Sequence, residues 1–368
     1  MRRRELLIFL GIIGVGAFFR LYQLDLFPPG FETHAWSLRI FSGIVGILTI
    51  VGLYLLVKQL FEWQLSAVAS FLLAVSFWHV NFSRTGFGAI MLPFILVWTF
   101  YFLWKGLKHN HLLNFFVAGI FGGVGFYTDI SYRIAPLIAV VLFINYWWYL
   151  KKDFDHNKYE HSKTKLLQGF VLMALTAFIV ALPIGFYFWG HSQEFFSPLN
   201  ISAASIVKTL GMFNFSGDWN PGYNIPGSPM LPWPIGIFFA VGFINELIHW
   251  LKHKHGHLST AHTFLFAWFF VMLFPGFLST DAPNALRTIG VIPVVMIFTA
   301  KGIMWFFDKL NAWYHIRDTH SKHESRAITA TVMIIFLTSV GFLEYWRYFQ
   351  AWGPAPETSA AFRHSIKK

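Results

Sequence analysis

The sequence predicts an all-α integral membrane protein with about eleven transmembrane helices. Hydrophobic residues make up 56% of the 368-residue chain and charged residues only 12%, a balance that soluble globular domains do not have. Apolar runs close to the length that crosses a bilayer, about 20 residues, recur along the whole chain. Short polar gaps separate these runs, as in a polytopic membrane protein.

The predicted spans follow one another with little sequence between them. The first begins directly after three arginines, and an uncleaved first span is favoured over a cleaved signal peptide because no small-x-small site precedes Arg20. Only residues 129–131 separate the fifth and sixth runs, which form either a tight hairpin or one broken span. The predicted spans are residues 5–22, 38–58, 64–81, 88–105, 112–128, 132–150, 166–189, 232–251, 260–278, 285–307 and 327–346.

The distribution of lysine and arginine predicts the orientation. With the N-terminus inside, 18 of these residues fall on the inner side and 10 on the outer side, as expected for positive cytoplasmic loops. The inner set is mostly clustered lysines and the outer set mostly single arginines. We therefore predict a multi-pass protein of a bacterial-type cytoplasmic membrane with its N-terminus in and C-terminus out. It would have a transmembrane domain (1–350), an outer loop (190–231) and a short C-terminal outer segment (351–368).

Composition and motifs exclude several functions. The net charge of +11 is spread over the gaps and forms no single stripe, so no nucleic-acid partner is predicted. The chain has no cysteine, which excludes disulfides and cysteine-ligated metals. Three histidines alternate in residues 252–257, but the neighbouring lysines repel a cation, and a solvated inner loop is favoured over a metal site. A divalent metal stays open as the one cofactor. No glycine-rich phosphate loop supports nucleotide-driven transport.

The segment from Lys208 to Met230 is the longest polar interruption on the predicted outer side. Its second half is rich in Asn, Gly, Pro and Asp, which build turns. Trp219 and Tyr223 add flat aromatic faces that suit a lipid headgroup or a sugar. Loops of this length are usually functional or disordered, and the aromatic residues favour a function.

Three isolated arginines, Arg84, Arg133 and Arg287, stand at span ends on the same side. Such a cation is costly unless it has an anionic partner, either a carboxylate, a lipid headgroup or a substrate phosphate. Taken singly, each arginine is interpreted most simply as snorkelling to the headgroups, whereas the set favours a phosphate. Asp129 and Asp281 are either general bases or ion-pair partners of Arg133 and Arg287, and the ion pair is favoured for each aspartate alone.

Several short segments occur in a fixed order along the chain. They are residues 19–22 with 27–30, 82–87, 125–136, 211–215 with 224–227, 278–287 and 352–362. In their order and spacing they resemble the polytopic GT-C glycosyltransferases of glycosyltransferase family 39, a group related to the protein O-mannosyltransferases and the bacterial aminoarabinose transferase. The resemblance covers nearly the whole chain.

The resemblance implies a cell-envelope transferase that moves a sugar, with inversion, from a polyprenyl phosphate donor to an acceptor lipid, glycan or protein outside the cytoplasmic membrane. It implies an Asp base in the first outer loop and basic groups on other outer loops. Positive charge there stabilises the departing phosphate. The expected phosphate ligands are Arg84, Arg133 and Arg287 with Tyr132 packed beside them, and the expected lining of the sugar or acceptor region is Asp218, Trp219, Tyr223 and Asn224.

The first outer loop departs from the family pattern. Only residues 23–37 separate the first two spans, where relatives carry a long loop with an Asp-Glu pair. Asp25 and Glu32 are the only carboxylates left, so the catalytic base is unassigned, with Asp129 and Glu32 as weak candidates. Two other functions stay open: an inactive member that partners an intact transferase, and a lipid-linked sugar transporter. The transporter lacks support because the sequence shows no internal repeat and few charges deep in the spans. Lys301 is the nearest exception, and it is expected to snorkel.

Overall fold

The structure is a computed structural model that describes residues 2–29, 36–153, 156–191, 202–252, 257–317 and 322–365. Every regular element within these ranges is a helix, which confirms the predicted all-α fold. The α-helices are α1 (Arg3–Leu21), α2 (Trp36–Leu60), α3 (Trp63–Val75), α4 (Phe77–Arg84), α5 (Met91–His109), α6 (Leu112–Val124), α7 (Pro136–Asp153), α8 (His156–Gly190), α9 (Ala203–Gly211), α10 (Trp233–Lys252), α11 (His257–Phe277), α12 (Ile292–Arg317), α13 (Lys322–Tyr345) and α14 (Pro356–Ser365). A π-helical segment, Trp346–Trp352, continues α13.

Among the described residues, eight helices are long and apolar enough to cross a membrane, and α3 with α4 makes a ninth if this bent pair is one span. The remaining two predicted spans also form helices. One is α1, which carries four charged residues; the other, Leu112–Tyr127, is short. The count of eleven and the orientation therefore stay predictions.

The bend of 56° between α3 and α4 is stabilised by two buried charged side chains. A helix break leaves backbone groups without helical partners, and inside a membrane these groups must find others. The carbonyl oxygens of Leu73 and Ala74 accept hydrogen bonds from the guanidinium of Arg20, at 3.4 and 2.9 Å. The backbone N–H of Phe77 lies within electrostatic reach of the Glu344 carboxylate. Arg20 and Glu344 are both almost fully buried, so they stabilise the bend within the bundle.

Small residues set the closest helix contacts. A Cβ on Gly242 would lie 1.8 Å from the carbonyl oxygen of Phe298, and one on Gly302 would lie 2.0 Å from that of Phe238. These contacts bring α10 against α12, and Gly119 plays the same part between α6 and α8. Membrane helices associate largely through such close packing, because lipid supplies no hydrophobic driving force between them.

The two ends of the bundle differ in their chemistry. We call one end the loop end; it is formed by residues 22–29, 85–88, 125–135, 212–232, 278–288 and 346–362. The opposite end, called the lysine end, carries Lys58, Lys105 and Lys252 near the ends of α2, α5 and α10. All the site residues expected from the sequence that fall within the described ranges belong to elements that meet at the loop end.

A buried charged cluster ties three helices together toward the lysine end. Glu246 of α10 accepts from the Lys301 ammonium at 2.6 Å and contacts Nδ1 of His262 at 2.5 Å. The Lys301 ammonium also lies 3.8 Å from the centre of the Phe61 ring. The sequence suggested that Lys301 snorkels to the surface, but in the structure it forms an ion pair inside the bundle because Glu246 comes from the neighbouring helix.

Candidate functional site at the loop end

The long loop is held in a fixed shape by Asp218 and Asn224, which are 5% and 0% exposed. The Asp218 carboxylate accepts from the N–H of Asn220 at 2.8 Å and from the N–H of Ala285 at 2.7 Å. The Asn224 amide donates to the carbonyl oxygens of Asp218 and Ser228, at 3.2 and 2.6 Å. The sequence predicted that both side chains line the sugar or acceptor region. In the structure their polar groups form hydrogen bonds within the loop and to the segment before α12.

Asp218 gives this loop a pH dependence whose sign can be stated. Burial, the largest influence, raises the pKa of its carboxyl above the usual 3.8, although the Ala285 and Asn220 amides act in the opposite direction. The folded protein therefore binds this proton more readily than the unfolded chain. We expect the thermal midpoint of the wild type to rise relative to that of Asp218→Asn as the pH falls from about 7 toward 4, and to lose this gain as the pH rises through the folded-state pKa. A midpoint difference that does not change with pH would contradict this assignment.

The loop is also bound to the helices beneath it. The Asn81 amide donates to the carbonyl oxygen of Gly222 at 3.0 Å, and the indole N–H of Trp352 donates to that of Pro221 at 2.8 Å. Asn81 lies on α4 and Trp352 ends the π-helical segment. The loop therefore rests on the bent span and on the end of α13.

Tyr223 packs the loop against α4 and the residues that follow it. Its ring stacks on Phe82, with centroids 5.5 Å apart, and meets Phe87 edge-on at 5.9 Å. Burial raises the pKa of its phenol, and the charges of Asp218 and Asp129 raise it further. Two of the aspartates thus lie within electrostatic reach of one half-buried hydroxyl, so Tyr223 belongs to the candidate site.

The segment between α6 and α7 presents Asp129 and Arg133 close together. The Asp129 carboxylate accepts from the N–H of Ser131 at 2.8 Å and so caps the short helical turn Ile130–Ile134. Arg133 follows on this turn and lies over the ring of Phe188, 4.7 Å from its centre. Asp129 acts electrostatically on Arg133, yet no ion pair joins these two described residues. The direct salt bridge that the sequence favoured is therefore not made.

Tyr132 is buried behind this turn and forms the wall of an apolar groove. Its hydroxyl donates to the carbonyl oxygen of Gly122 at 2.7 Å, and a Cβ on Gly125 would lie 2.0 Å from its ring. Gly125 is therefore required for the ring to fit. From the sequence, Tyr132 was predicted to pack beside a phosphate. In the structure the Tyr132 hydroxyl is instead bonded to α6, and the ring faces the groove.

The groove runs between α6, α7 and α8 as two adjoining cavities of about 370 and 870 Å³. The cavities share Phe126, Pro136, Ala174 and Ala177 as lining residues, and almost all of the remaining lining is aliphatic or aromatic. Phe188, which lies beneath the Arg133 guanidinium, lines the larger cavity. A cation therefore stands at one end of a long apolar channel, and hydropathy alone gave no signal of this groove.

Arg84 does not lie with Arg133. It is fully buried, and its guanidinium donates to the carbonyl oxygens of Phe19, Gln23 and Phe27 at 2.9, 3.0 and 3.1 Å. The rings of Tyr348 and Phe349 pack against it, with centroids 5.4 and 5.1 Å away. The sequence predicted Arg84 as a phosphate ligand. In the structure its guanidinium instead holds the backbone of the first loop and acts as a clamp on it, because the bent span places the side chain beneath that loop.

Arg39 completes this clamp and was not singled out in the sequence. Its guanidinium donates to the carbonyl oxygens of Arg84 at 2.9 Å and Phe27 at 2.6 Å. The exposed Asp25 is the carboxylate whose charge acts on both arginines. The sequence could have indicated Arg39 through its position: it follows the short first loop and begins the next apolar run.

The other expected site residues lie at the edge of this region. The half-buried Arg287 has its backbone N–H bonded to the Asn284 side chain at 2.9 Å, and no hydrogen bond or ion pair of its guanidinium is formed within the described ranges. Asp281 is exposed and acts electrostatically on Asp218. Glu32 and two of the three histidines in 252–257 lie outside the described residues. In the part of the chain that is described, no three His, Asp or Glu side chains stand close enough together to hold a metal.

Comparison with known proteins agrees with this architecture. A family model described as dolichyl-phosphate-mannose-protein mannosyltransferase matches residues 17–187. A curated Bacillus subtilis (strain 168) protein, "Putative mannosyltransferase YkcB", is 29% identical over 113 residues, which are 31% of this chain and 16% of that protein.

Two solved structures share the fold. Both are of the Archaeoglobus fulgidus oligosaccharyltransferase, at 13% identity. The form tethered to an acceptor peptide gives a TM-score of 0.55 over 98% of this chain and 55% of that one, and the apo form gives 0.52 over 99% and 56%. The chain thus spans about half of these structures and a small part of the curated relative.

The family match over residues 17–187 and the fold shared with the archaeal oligosaccharyltransferase agree with the resemblance to GT-C membrane glycosyltransferases seen in the sequence. The matched residues 17–187 include the first loop, the bent span, the turn with Asp129 and Arg133, and most of α8. The multi-pass membrane character is also confirmed by the eight long apolar helices.

Proposed function

We propose that the protein transfers a sugar from a polyprenyl phosphate to an acceptor lipid, glycan or protein, at a site on the outer face of the cytoplasmic membrane. The observation that carries this proposal is the apolar groove with Arg133 at its end. An isoprenoid tail would lie in the groove among α6, α7 and α8. The phosphate would then lie at the guanidinium, which matches its geometry with two parallel hydrogen bonds.

The matched family supports the same chemical class of donor. Its description names a dolichyl phosphate mannose, a sugar joined through phosphate to a long apolar chain. Such a molecule needs a hydrophobic channel next to a cation. This is the arrangement of the groove and Arg133 in the present structure.

Asp129 is the carboxylate best placed to act as the base. It lies four residues before Arg133 and acts electrostatically on both Arg133 and Tyr223. In the proposed step the acceptor hydroxyl oxygen bonds to the anomeric carbon, the bond from that carbon to the phosphate oxygen breaks, and the hydroxyl proton passes to Asp129. Arg133 would stabilise the negative charge that develops on the departing polyprenyl phosphate.

Binding of undecaprenyl phosphate to the purified protein in lipid nanodiscs tests the groove. We expect Ala177→Trp, which fills the groove, and Arg133→Ala, which removes the cation, each to weaken binding roughly tenfold or more, since a hydrogen bond to a charged group contributes about 1.5–3 kcal/mol. The matched controls are Ile179→Trp, an exposed position on α8 outside the groove lining, and Lys208→Ala, an exposed cation on α9. Undiminished binding in both test variants would refute the proposal.

An inactive partner subunit is the second candidate, favoured by the short first loop. Asp25 is the one carboxylate in the described part of that loop, and it lies near two arginines that hold the loop backbone. A transfer assay with radiolabelled polyprenyl phosphate sugars separates the two functions. If the protein is an enzyme, the wild type should transfer the sugar, and Asp129→Asn should bind the donor but not transfer it. If the protein is an inactive partner, the wild type and Asp129→Asn should both bind the donor without transfer.

A further inference from the structure

Trp219 is a large aromatic side chain that the loop holds open to solvent. It is 67% exposed although Asp218 before it and Gly222 and Asn224 after it are buried. One side of its six-membered ring rests against Gly227, where a Cβ would lie 2.9 Å from the ring, and Gly227 has a φ of +72°. Glycine therefore provides both the turn and the space on which the indole lies.

The backbone under this indole is fixed on several sides. The N–H of Gly227 donates to the carbonyl oxygen of Asp218 at 3.1 Å, and the N–H of Gly217 donates to that of Ser228 at 3.2 Å. The Asp218 carboxylate and the Asn224 amide add the bonds described above. Little conformational freedom is then left for a ligand to remove on binding, which favours affinity.

Trp219 lies on the same loop as Tyr223, directly after Asp218. The charges of Asp218 and of Asp129, which lies four residues before Arg133, both raise the pKa of the Tyr223 phenol. A group bound on the indole would therefore lie on the loop that borders the candidate site.

We propose that the open face of Trp219 is a stacking platform for a pyranose ring of the acceptor, so that the acceptor is a glycan or glycolipid rather than a peptide side chain. This inference rests on the proposed transferase function. The face of a pyranose presents C–H groups of slight positive charge, which complement the negative face of an aromatic ring. An indole supplies a wide contact area with only two side-chain torsions to fix.

A membrane-interface anchor is the competing role for an exposed tryptophan. The support from Gly227 and the bonds from Asp218 to Ala285 fasten this residue over the bundle. Polar and turn-forming residues also surround it in the sequence, as in Asn220 and Pro221. Phe215, at 75% exposure on the same loop, is the matched comparison for an exposed aromatic ring; a Cβ on Gly211 would lie 3.8 Å from it, against 2.9 Å between Gly227 and the Trp219 ring.

Saturation-transfer difference NMR of the nanodisc-embedded protein tests the platform, with mannobiose, cellobiose and chitobiose as soluble probes. We expect at least one disaccharide to receive saturation on its C–H face in the wild type. The signal should fall about tenfold in Trp219→Ala, stay above about half in Trp219→Phe, and be unchanged in Phe215→Ala.

The platform would be overturned if no disaccharide binds the wild type or if Trp219→Ala keeps the signal. It would also be overturned if brominated lipid quenches the part of the fluorescence that Trp219→Phe removes, because this would identify Trp219 as an interfacial anchor. Undecaprenyl phosphate binding is measured on the same samples. If it persists in Trp219→Ala while the platform fails, only this inference is wrong. If it is absent in the wild type, the proposed function itself fails.

Discussion

Replacing Glu246 by alanine is expected to destabilise the protein by about 3–5 kcal/mol, the magnitude typical of breaking a buried ion pair. The substitution leaves the Lys301 ammonium, whose side chain is 14% exposed, and His262 without their shared carboxylate between α10, α11 and α12. The lost free energy should appear as a lower thermal midpoint in nanodiscs and a lower yield of folded protein. Glu5→Ala is the matched control at the same end of the bundle.

The control separates burial from pairing. Glu5 also pairs with a lysine and accepts from Tyr54, but the Lys58 side chain is 34% exposed, so its ammonium can return to water, and we expect a loss of about 1 kcal/mol or less. The double variant Glu246→Gln, Lys301→Met removes both buried charges and should recover much of the stability lost in Glu246→Ala. An equal loss in the two single variants would show that Glu246 is not effectively buried.

The sequence predicted every long helix but could not identify this cluster. Hydropathy and run length define a span without its partners. Each of the eleven predicted spans corresponds to a helix in the structure, except that residues 64–81 form the bent pair of α3 and α4. Glu246 and Lys301 are 55 residues apart, so their pairing depends on how α10 packs against α12. The close contact of Gly242 and Gly302 sets that packing, and a single sequence does not show which glycines face each other.

The sequence identified single residues of the candidate site but not how they are grouped. The sequence identified Arg84, Arg133 and Asp129 as unusual because charged groups at the ends of apolar runs need partners. It could not separate Arg84 from Arg133, since the difference arises from the bend between α3 and α4 and from the π-helical segment packed beneath it. The groove was also hidden, because Ala174 and Ala177 in α8 have the same apolar character whether they face lipid or a cavity.

Arg84→Ala is expected to release the first loop and to reduce sugar transfer about a hundredfold, while undecaprenyl phosphate binding in the groove stays within about twofold of the wild type. The Arg84 guanidinium holds three carbonyl oxygens of residues 19, 23 and 27, and this loop lies beside the candidate site. Hydrogen exchange of residues 19–29 should speed up in the variant, and this measurement reports on the clamp independently of any activity.

Arg84→Lys decides between the clamp and a direct phosphate contact. A lysine keeps the charge but cannot reproduce the planar fork that reaches several acceptors at once. If Arg84 is a clamp, the lysine variant should show the fast exchange and low transfer of the alanine variant. If Arg84 binds the donor phosphate, the lysine should restore much of the binding lost in Arg84→Ala, and the exchange of residues 19–29 should stay slow. The buried position of Arg84 between Tyr348 and Phe349 favours the first result, because a compact, strongly hydrated ammonium stacks poorly on aromatic rings.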